Sequence, residues 1–170
     1  YNESLNWFLK YVGENQNNTS STYADALNRI GDAYFSSRNF GKADEYYKKA
    51  VNLNYNGDYA MFQSAYLAGL NKNYSQKIGK LEEMITKYPS SEYGDDAMYE
   101  IGRSYLMLEN NAKAIETYNR LIERYPNSIL VPKAELETGM IHYNQKQYEQ
   151  AGRSYKKVIA EYPGSDEANT

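Results

Sequence analysis

Cysteine is absent from the 170-residue chain, which excludes disulfide staples, thiolate metal sites and a cysteine nucleophile while leaving the redox compartment open. A surplus of basic charge is also missing. Nineteen Lys and Arg stand against twenty-two Asp and Glu, for a formal charge of -3 with the two signs interleaved. The counterion-release gain at a phosphate backbone is therefore absent, and no nucleic-acid partner is expected. No apolar run approaches the roughly 20 residues that cross a bilayer, so no membrane insertion is expected of this segment. The chain opens at Tyr1 rather than Met and already within a helical pattern, which leaves room for a signal peptide or lipid anchor upstream. What the chain has in excess is tyrosine, twenty residues against four Phe and one Trp. A rigid aromatic with a polar tip serves either a helix interface or a binding face, and position has to separate the two.

Aligned on itself, the chain shows four copies of one pattern: Ile30-Gly31-x-x-Tyr34, Ser64-Ala65-x-x-Ala68, Ile101-Gly102-x-x-Tyr105 and Thr138-Gly139-x-x-His142. Twelve residues after each small residue comes Ala43, Lys77, Ala114 or Ala151. Four further on stands Tyr47, Leu81, Tyr118 or Tyr155, and three more reach Ala50, Met84, Leu121 or Val158. Leu27, Ile30, Gly31 and Tyr34 illustrate the i, i+3, i+4, i+7 stripe of a helix that faces a partner. The small residue lets the paired second helix approach closely, and the Ala43-type position opens that helix against it. Tyr88-Pro89, Tyr125-Pro126 and Tyr162-Pro163 close the last three copies, with Asn54-Tyr55 at the same place in the first. Each proline disfavours helix in the residue before it and separates one copy from the next. Helix pairs this short cannot bury both faces alone, so neighbours are expected to stack as an all-α solenoid.

The period is 34 residues between the first two copies and 37 thereafter. The three additional residues are expected in the connection between copies or in the first turn of the next helix, with Ser91 and Ser128 as N-caps there. Both ends read as cut within a repeat. Ser4, Phe8 and Tyr11 match second-helix positions, and Pro163-Gly164-Ser165 announces a further first helix. The organisation is then 1-22 as a second helix plus a polar linker, four repeats at 23-56, 57-92, 93-129 and 130-164, and the start of another at 165-170.

A small residue at position 8, Ala at 20, an aromatic at 24 and Pro at 32 resemble the tetratricopeptide repeat family over nearly the whole chain. That resemblance implies a right-handed superhelix of antiparallel helix pairs and a non-catalytic scaffold without cofactor or metal that binds a protein or peptide segment. The copy beginning near Asp58 departs, with Lys77 where Ala is usual and Leu81 in place of the aromatic, and is expected to pack more loosely. The endings Tyr88-Pro89-Ser90-Ser91, Tyr125-Pro126-Asn127-Ser128 and Tyr162-Pro163-Gly164-Ser165 look like those of bacterial cell-envelope members, the outer-membrane assembly lipoprotein and the Tol-Pal coordinator. This narrower resemblance implies a periplasmic or outer-membrane-associated scaffold.

Positions 4, 7, 8 and 11 of each first helix are assigned to packing, and in this family positions 5, 9 and 12 line the concave groove. The carry-over gives Asn28, Asp32 and Phe35; Phe62 and Tyr66; Tyr99, Arg103 and Leu106; and Leu136, Met140 and Tyr143. Phe62, Tyr66 and Tyr99 with Arg103 have the composition of an interaction hot spot. Chaperone-binding members resemble one another in a Lys/Asn/Arg clamp for a C-terminal carboxylate. Here Asn28, Asp32 and Gln63 stand at the relevant positions, so the clamp lacks its Lys and gains a repelling acid. His142, the only histidine, falls on the packing stripe, and no converging partners mark it as a base or metal ligand. Glu82-Glu83 and Asp95-Asp96 read as solvated helix surface or first-turn acids. The triplets Asn17-Asn18-Thr19 and Asn73-Tyr74-Ser75 match glycosylation acceptors that an Asn-rich chain produces by chance. Two further readings stay open: a glycan-binding module that stacks exposed Tyr faces on sugar rings, and a structural or self-associating segment of a larger protein. Oligomeric state is not legible.

Overall fold

The computed structural model describes residues 2-16, 18-53 and 55-169, with the side chain of Asn2 excluded. Tyr1, Asn17 of the Asn17-Asn18-Thr19 triplet, Asn54 of the Asn54-Tyr55 ending and Thr170 of the terminal stub lie outside the described residues. The described residues form nine α-helices and one short 3-10 helix, without strands. The chain divides into two compact units, 1-93 and 94-170.

In the first unit α1 spans Asn2–Glu14, α2 Ser21–Ser36, α3 Phe40–Val51, α4 Gly57–Leu70 and α5 Tyr74–Lys87. Each helix packs on the next, α1 on α2, α2 on α3, α3 on α4 and α4 on α5, as short turns between antiparallel neighbours require. A cluster of Tyr23, Leu27, Ala43, Tyr47, Ala50, Ala60 and Leu67 forms the centre of this core. Unlike its neighbours, α4 is apolar all round, with Ala60, Met61, Ala65, Leu67 and Ala68 buried, because α3 and α5 cover it from two sides. The second unit repeats the arrangement with α6 Gly94–Met107, α7 Asn111–Arg124, α8 Val131–Asn144 and α9 Tyr148–Glu161, closed by the 3-10 turn Asp166–Asn169 against α8 and α9.

Small and large residues interlock within each pair. A Cβ added at Gly31 would come within 2.5 Å of the Tyr47 ring, one at Gly139 within 2.5 Å of Tyr155, and one at Gly102 would collide with Tyr118. In the second repeat Ala65 and Leu81 replace the Gly and Tyr, and both are buried. The expectation that this repeat packs loosely is corrected by Lys77. Its side chain is buried, and its stem lies where a Cβ on Gly69 would fall 2.9 Å from Cδ. Gly69 at position 12, where the other copies carry Phe35, Leu106 and Tyr143, therefore offsets the bulk of Lys77 at position 20. The fourth repeat departs at position 4, where Glu135 takes the place of Leu27, Met61 and Met98. It is 6% exposed and ion-paired with Lys157, as a buried acid requires.

Two sequence expectations are corrected at the connections. The three additional residues do not enter the next first helix. α3 ends one residue beyond Ala50, whereas α5, α7 and α9 end three beyond Met84, Leu121 and Val158. The segments between repeats are 52-56 against 88-93 and 125-130. The difference is thus two residues in the last turn of the second helix and one in the connection. Nor do Ser91 and Ser128 cap helices. Each lies three residues before the first helical residue, Gly94 or Val131, and its hydroxyl accepts from the backbone N–H two residues on, of Tyr93 at 3.2 Å or Leu130 at 3.1 Å. The same hydroxyls donate back to Asp58 at 2.7 Å and Asp95 at 2.5 Å, at the start of their own repeats. The Tyr-Pro tyrosines reach back likewise, with the Tyr88 and Tyr125 hydroxyls over Gly57 and Gly94, where a Cβ would collide.

Candidate functional site

The first helix of each repeat is held from behind by its Gly–Tyr or Ala–Leu wedge, which sets the rotation that decides whether positions 5, 9 and 12 are free. In the first unit they are only partly so. Asn28 is 3% exposed, and its Oδ1 has no hydrogen-bond partner among the described residues. An acceptor left in that state costs about 1–3 kcal/mol. Asp32 Oδ1 accepts the Tyr47 hydroxyl at 2.8 Å and the Tyr59 hydroxyl at 2.7 Å. Burial, and then the Asp32 carboxylate itself, push both phenols well above their ordinary range, so they remain donors. Phe35 is half-buried between the rings of Phe40 and Tyr66, at 5.7 and 6.0 Å. Phe62 stacks on Tyr93 at 5.6 Å, while Tyr66 stays 40% exposed with Lys77 Nζ 5.8 Å from its ring.

In the second unit Tyr99 is half-buried with its ring 5.8 Å from that of Tyr118. Arg103 is exposed and pairs with Glu100 at 3.4 Å. Leu106 and Leu136 are half-buried. Met140 at 48% and Tyr143 at 57% are exposed, the latter edge-on to Tyr148 at 5.5 Å. The exposed side chains of the set are thus Tyr66 in one unit and Arg103, Met140 and Tyr143 in the other. Asn28 and Asp32 act instead within a recess.

That recess is a cleft of about 310 Å³ in the first unit, formed by α2, the start of α4 and the segment at 92-93. Asp25, Asn28, Arg29 and Asp32 of α2 line it together with Asp58 of α4 and Glu92. Asp25 pairs with Arg29 at 3.5 Å, and Asp58 accepts from its neighbouring Tyr59 N–H at 2.9 Å and from Ser91. Sequence reasoning named only Asn28 and Asp32 of this set. Asp25 and Asp58 sit at positions 2 and 1 of their repeats, outside the 5, 9 and 12 pattern, and Glu92 belongs to a connection that no helical period reaches.

His142 is half-buried, with Nδ1 2.6 Å from Gln147 Oε1. Gln147 itself occupies the place of Asn39, Asn73 and Asn110, whose side chains accept from the N–H groups of Lys42, Gln76 and Lys113 and cap α3, α5 and α7. The recurrence of Asn at 39, 73 and 110 was a readable signal for those caps. Among the described residues no three His, Asp or Glu side chains are grouped so as to hold a metal ion, and no helix is long and apolar enough to cross a membrane.

Stacked antiparallel helix pairs, each with a small-to-large wedge and a first-helix face left open, define a helical-repeat protein. The tetratricopeptide repeat profiles match residues 24–56, 59–91, 96–128 and 133–165, and the chain belongs to the tetratricopeptide repeat family. A search of curated proteins gave no significant match. Among solved structures, MamA from Desulfovibrio magneticus RS-1 is similar at 19% identity and a TM-score of 0.74, over 97% of this chain and 87% of that one. YrrB, described as a TPR protein with an unusual peptide-binding site, gives 20% identity and a TM-score of 0.67 over 92% of this chain and 75% of that one. Pseudomonas aeruginosa pilF gives 19% and 0.67 over 97% and 77%. At these identities the likeness concerns the fold.

Proposed function

We propose that this chain is a non-catalytic scaffold that binds a protein segment along its first-helix faces. The observation that carries the reading is the exposure of Tyr66, Met140 and Tyr143 at positions 9 and 12, while the packing stripe of the same helices is buried. Large apolar side chains held open by a stacked repeat have the character of anchors for an extended or helical partner. The glycan-stacking reading draws less support, because among the described tyrosines only Tyr55, Tyr66, Tyr143 and Tyr148 are exposed, and many of the others pack ring against ring. The Tyr-Pro-x-Ser endings further support placing the scaffold at a bacterial cell envelope, which fractionation of the source cells with an antibody would test.

Affinity capture from a lysate of the source organism, wild type beside a Tyr66→Ala/Tyr143→Ala variant, tests the scaffold reading. Both rings are exposed, so helicity by circular dichroism should be unchanged and a groove-bound partner should be lost from the variant. Retention of the same proteins by both chains would refute it. Tyr99 is the poorer choice for such a variant, since its ring packs against Tyr118 and its loss would disturb the fold.

A further inference from the structure

All of the chain's sulfur is thioether, because cysteine is absent and methionine occurs five times. The fold divides these five into two groups. Met61, Met84 and Met98 lie in the core at 5%, 0% and 2% exposure, whereas Met107 and Met140 are 55% and 48% exposed, both in the second unit. Met140 is the one at a groove position. It lines a cleft of about 350 Å³ together with Leu136 of its own helix and Tyr155, Val158 and Ile159 of α9. Position 9 is occupied in the other copies by Asp32, Tyr66 and Arg103, none of which carries sulfur. We infer that Met140 is a site of reversible sulfoxidation by hydroperoxides and that its oxidation releases the partner segment, an inference that rests on the scaffold reading and adds how that same surface is regulated.

A hydroperoxide oxidises a thioether by direct contact. The Sδ lone pair of Met140 takes the distal oxygen, and an S–O bond forms as the O–O bond breaks. Sulfur gives up two electrons, and the hydroxide leaving hydrogen peroxide collects the proton of the transferred oxygen and departs as water. Contact requires exposure, so a core methionine reacts only when the fold opens. The product side chain is polar and chiral where the thioether was flexible and apolar. At Met140 the new oxygen stands beside Leu136, Val158 and Ile159, and an apolar anchor seated against them would strip it of water at a cost in free energy. Met61, Met84 and Met98 keep their thioethers, so the binding face changes and the core does not. Dithiol-dependent reductases remove the oxygen as water, with the two thiols joined as a disulfide, which makes the step reversible.

The test exposes the full chain to hydrogen peroxide and follows each methionine by peptide mass spectrometry. Met140 and Met107 should gain oxygen at least about tenfold faster than Met61, Met84 and Met98, which wait on opening of the fold, and helicity by circular dichroism should stay unchanged. Lysate proteins of the source organism are then captured on the reduced and on the oxidised chain. The protein that the Tyr66→Ala/Tyr143→Ala variant loses should fall at least about tenfold on the oxidised chain, the scale set by one large apolar contact. It should return after treatment with methionine sulfoxide reductases and a dithiol. The amount held by Met140→Leu, whatever its starting level, should be indifferent to peroxide, while Met107→Leu should respond as the wild type does. Met140 oxidising as slowly as the core methionines, helicity lost on oxidation, no recovery with the reductases, or a peroxide response that persists in Met140→Leu would each overturn the inference. Full retention by the oxidised chain would overturn this inference alone and leave the scaffold reading intact. A reduced chain that holds no protein sensitive to the tyrosine variant would overturn the scaffold reading, and the oxidative release with it.

Discussion

Replacing Gly102 by Ala puts a methyl group into the ring of Tyr118, which is fully buried. Ala is favoured over Gly in a helix interior by about 1 kcal/mol, whereas forcing an extra methyl into a packed core costs about 1–3 kcal/mol. The structure decides the sign: the Tyr118 ring is fully buried and already packs against the ring of Tyr99 at 5.8 Å, which leaves it little room to retreat. A net loss of roughly 1 kcal/mol is therefore expected, from these two ranges. Gly79 on α5 has nothing within 4 Å of its added Cβ, so the same substitution there should stabilise by about 0.5–1 kcal/mol. The second repeat supplies the rescue, because it already combines Ala65 with Leu81. Tyr118→Leu alone should cost roughly 2–4 kcal/mol as a large-to-small core change, but the double Gly102→Ala/Tyr118→Leu variant should recover about 1–2 kcal/mol relative to the sum of the singles. Urea unfolding followed by circular dichroism, with slopes compared between variants, reads all four. Gly102→Ala proving as stabilising as Gly79→Ala, or a cycle additive to within about 0.3 kcal/mol, would refute the wedge argument.

The two buried tyrosines at position 24 should respond oppositely to loss of their hydroxyls. Tyr47→Phe removes a bond to the Asp32 carboxylate and should cost about 1.5–3 kcal/mol, while Tyr118→Phe removes a buried hydroxyl with no partner among the described residues and should be neutral or stabilising by the same urea assay. Gln147→Asn should give α9 the N-cap present on α3, α5 and α7, raising stability by about 0.5–1 kcal/mol. Its thermal midpoint should rise even though the His142 contact is lost. Burial alone would raise the Asp44 carboxyl, but hydrogen bonds from Lys48 and Ser64 and the charges of Lys80 and Lys48 outweigh it and hold it below its ordinary value. Because the folded value is the lower one, the stabilisation is complete above the unfolded value and disappears as pH falls through the folded one. Asp44→Asn should accordingly flatten the loss of stability below about pH 4, measured as unfolding midpoints between neutral and acid pH.

Periodicity alone was enough to find the helix pairs, because Gly31, Gly102 and Gly139 face Tyr47, Tyr118 and Tyr155 at one constant separation, and a repeated steric wedge leaves a repeated sequence mark. The same spacing marks the Asn39, Asn73 and Asn110 caps. Offsets between repeats carried no such mark. Lys77 read as a defect because its remedy, the missing Cβ of Gly69, lies eight residues away on the preceding helix. Ser91 and Ser128 read as caps because a serine before a helix has that meaning locally, and only the folded chain shows their hydroxyls returning to Asp58 and Asp95.

The sequence by itself determined the fold class, the identity of the packing stripe and the exclusion of thiol chemistry, since each follows from local composition or from a period that every copy repeats. Tertiary structure decided which first-helix residues are free. Tyr66, Met140 and Tyr143 remain open while Asn28 and Asp32 are drawn into a recess with Asp25, Asp58 and Glu92, because exposure depends on what the neighbouring repeat places opposite. No single helical period contains that information.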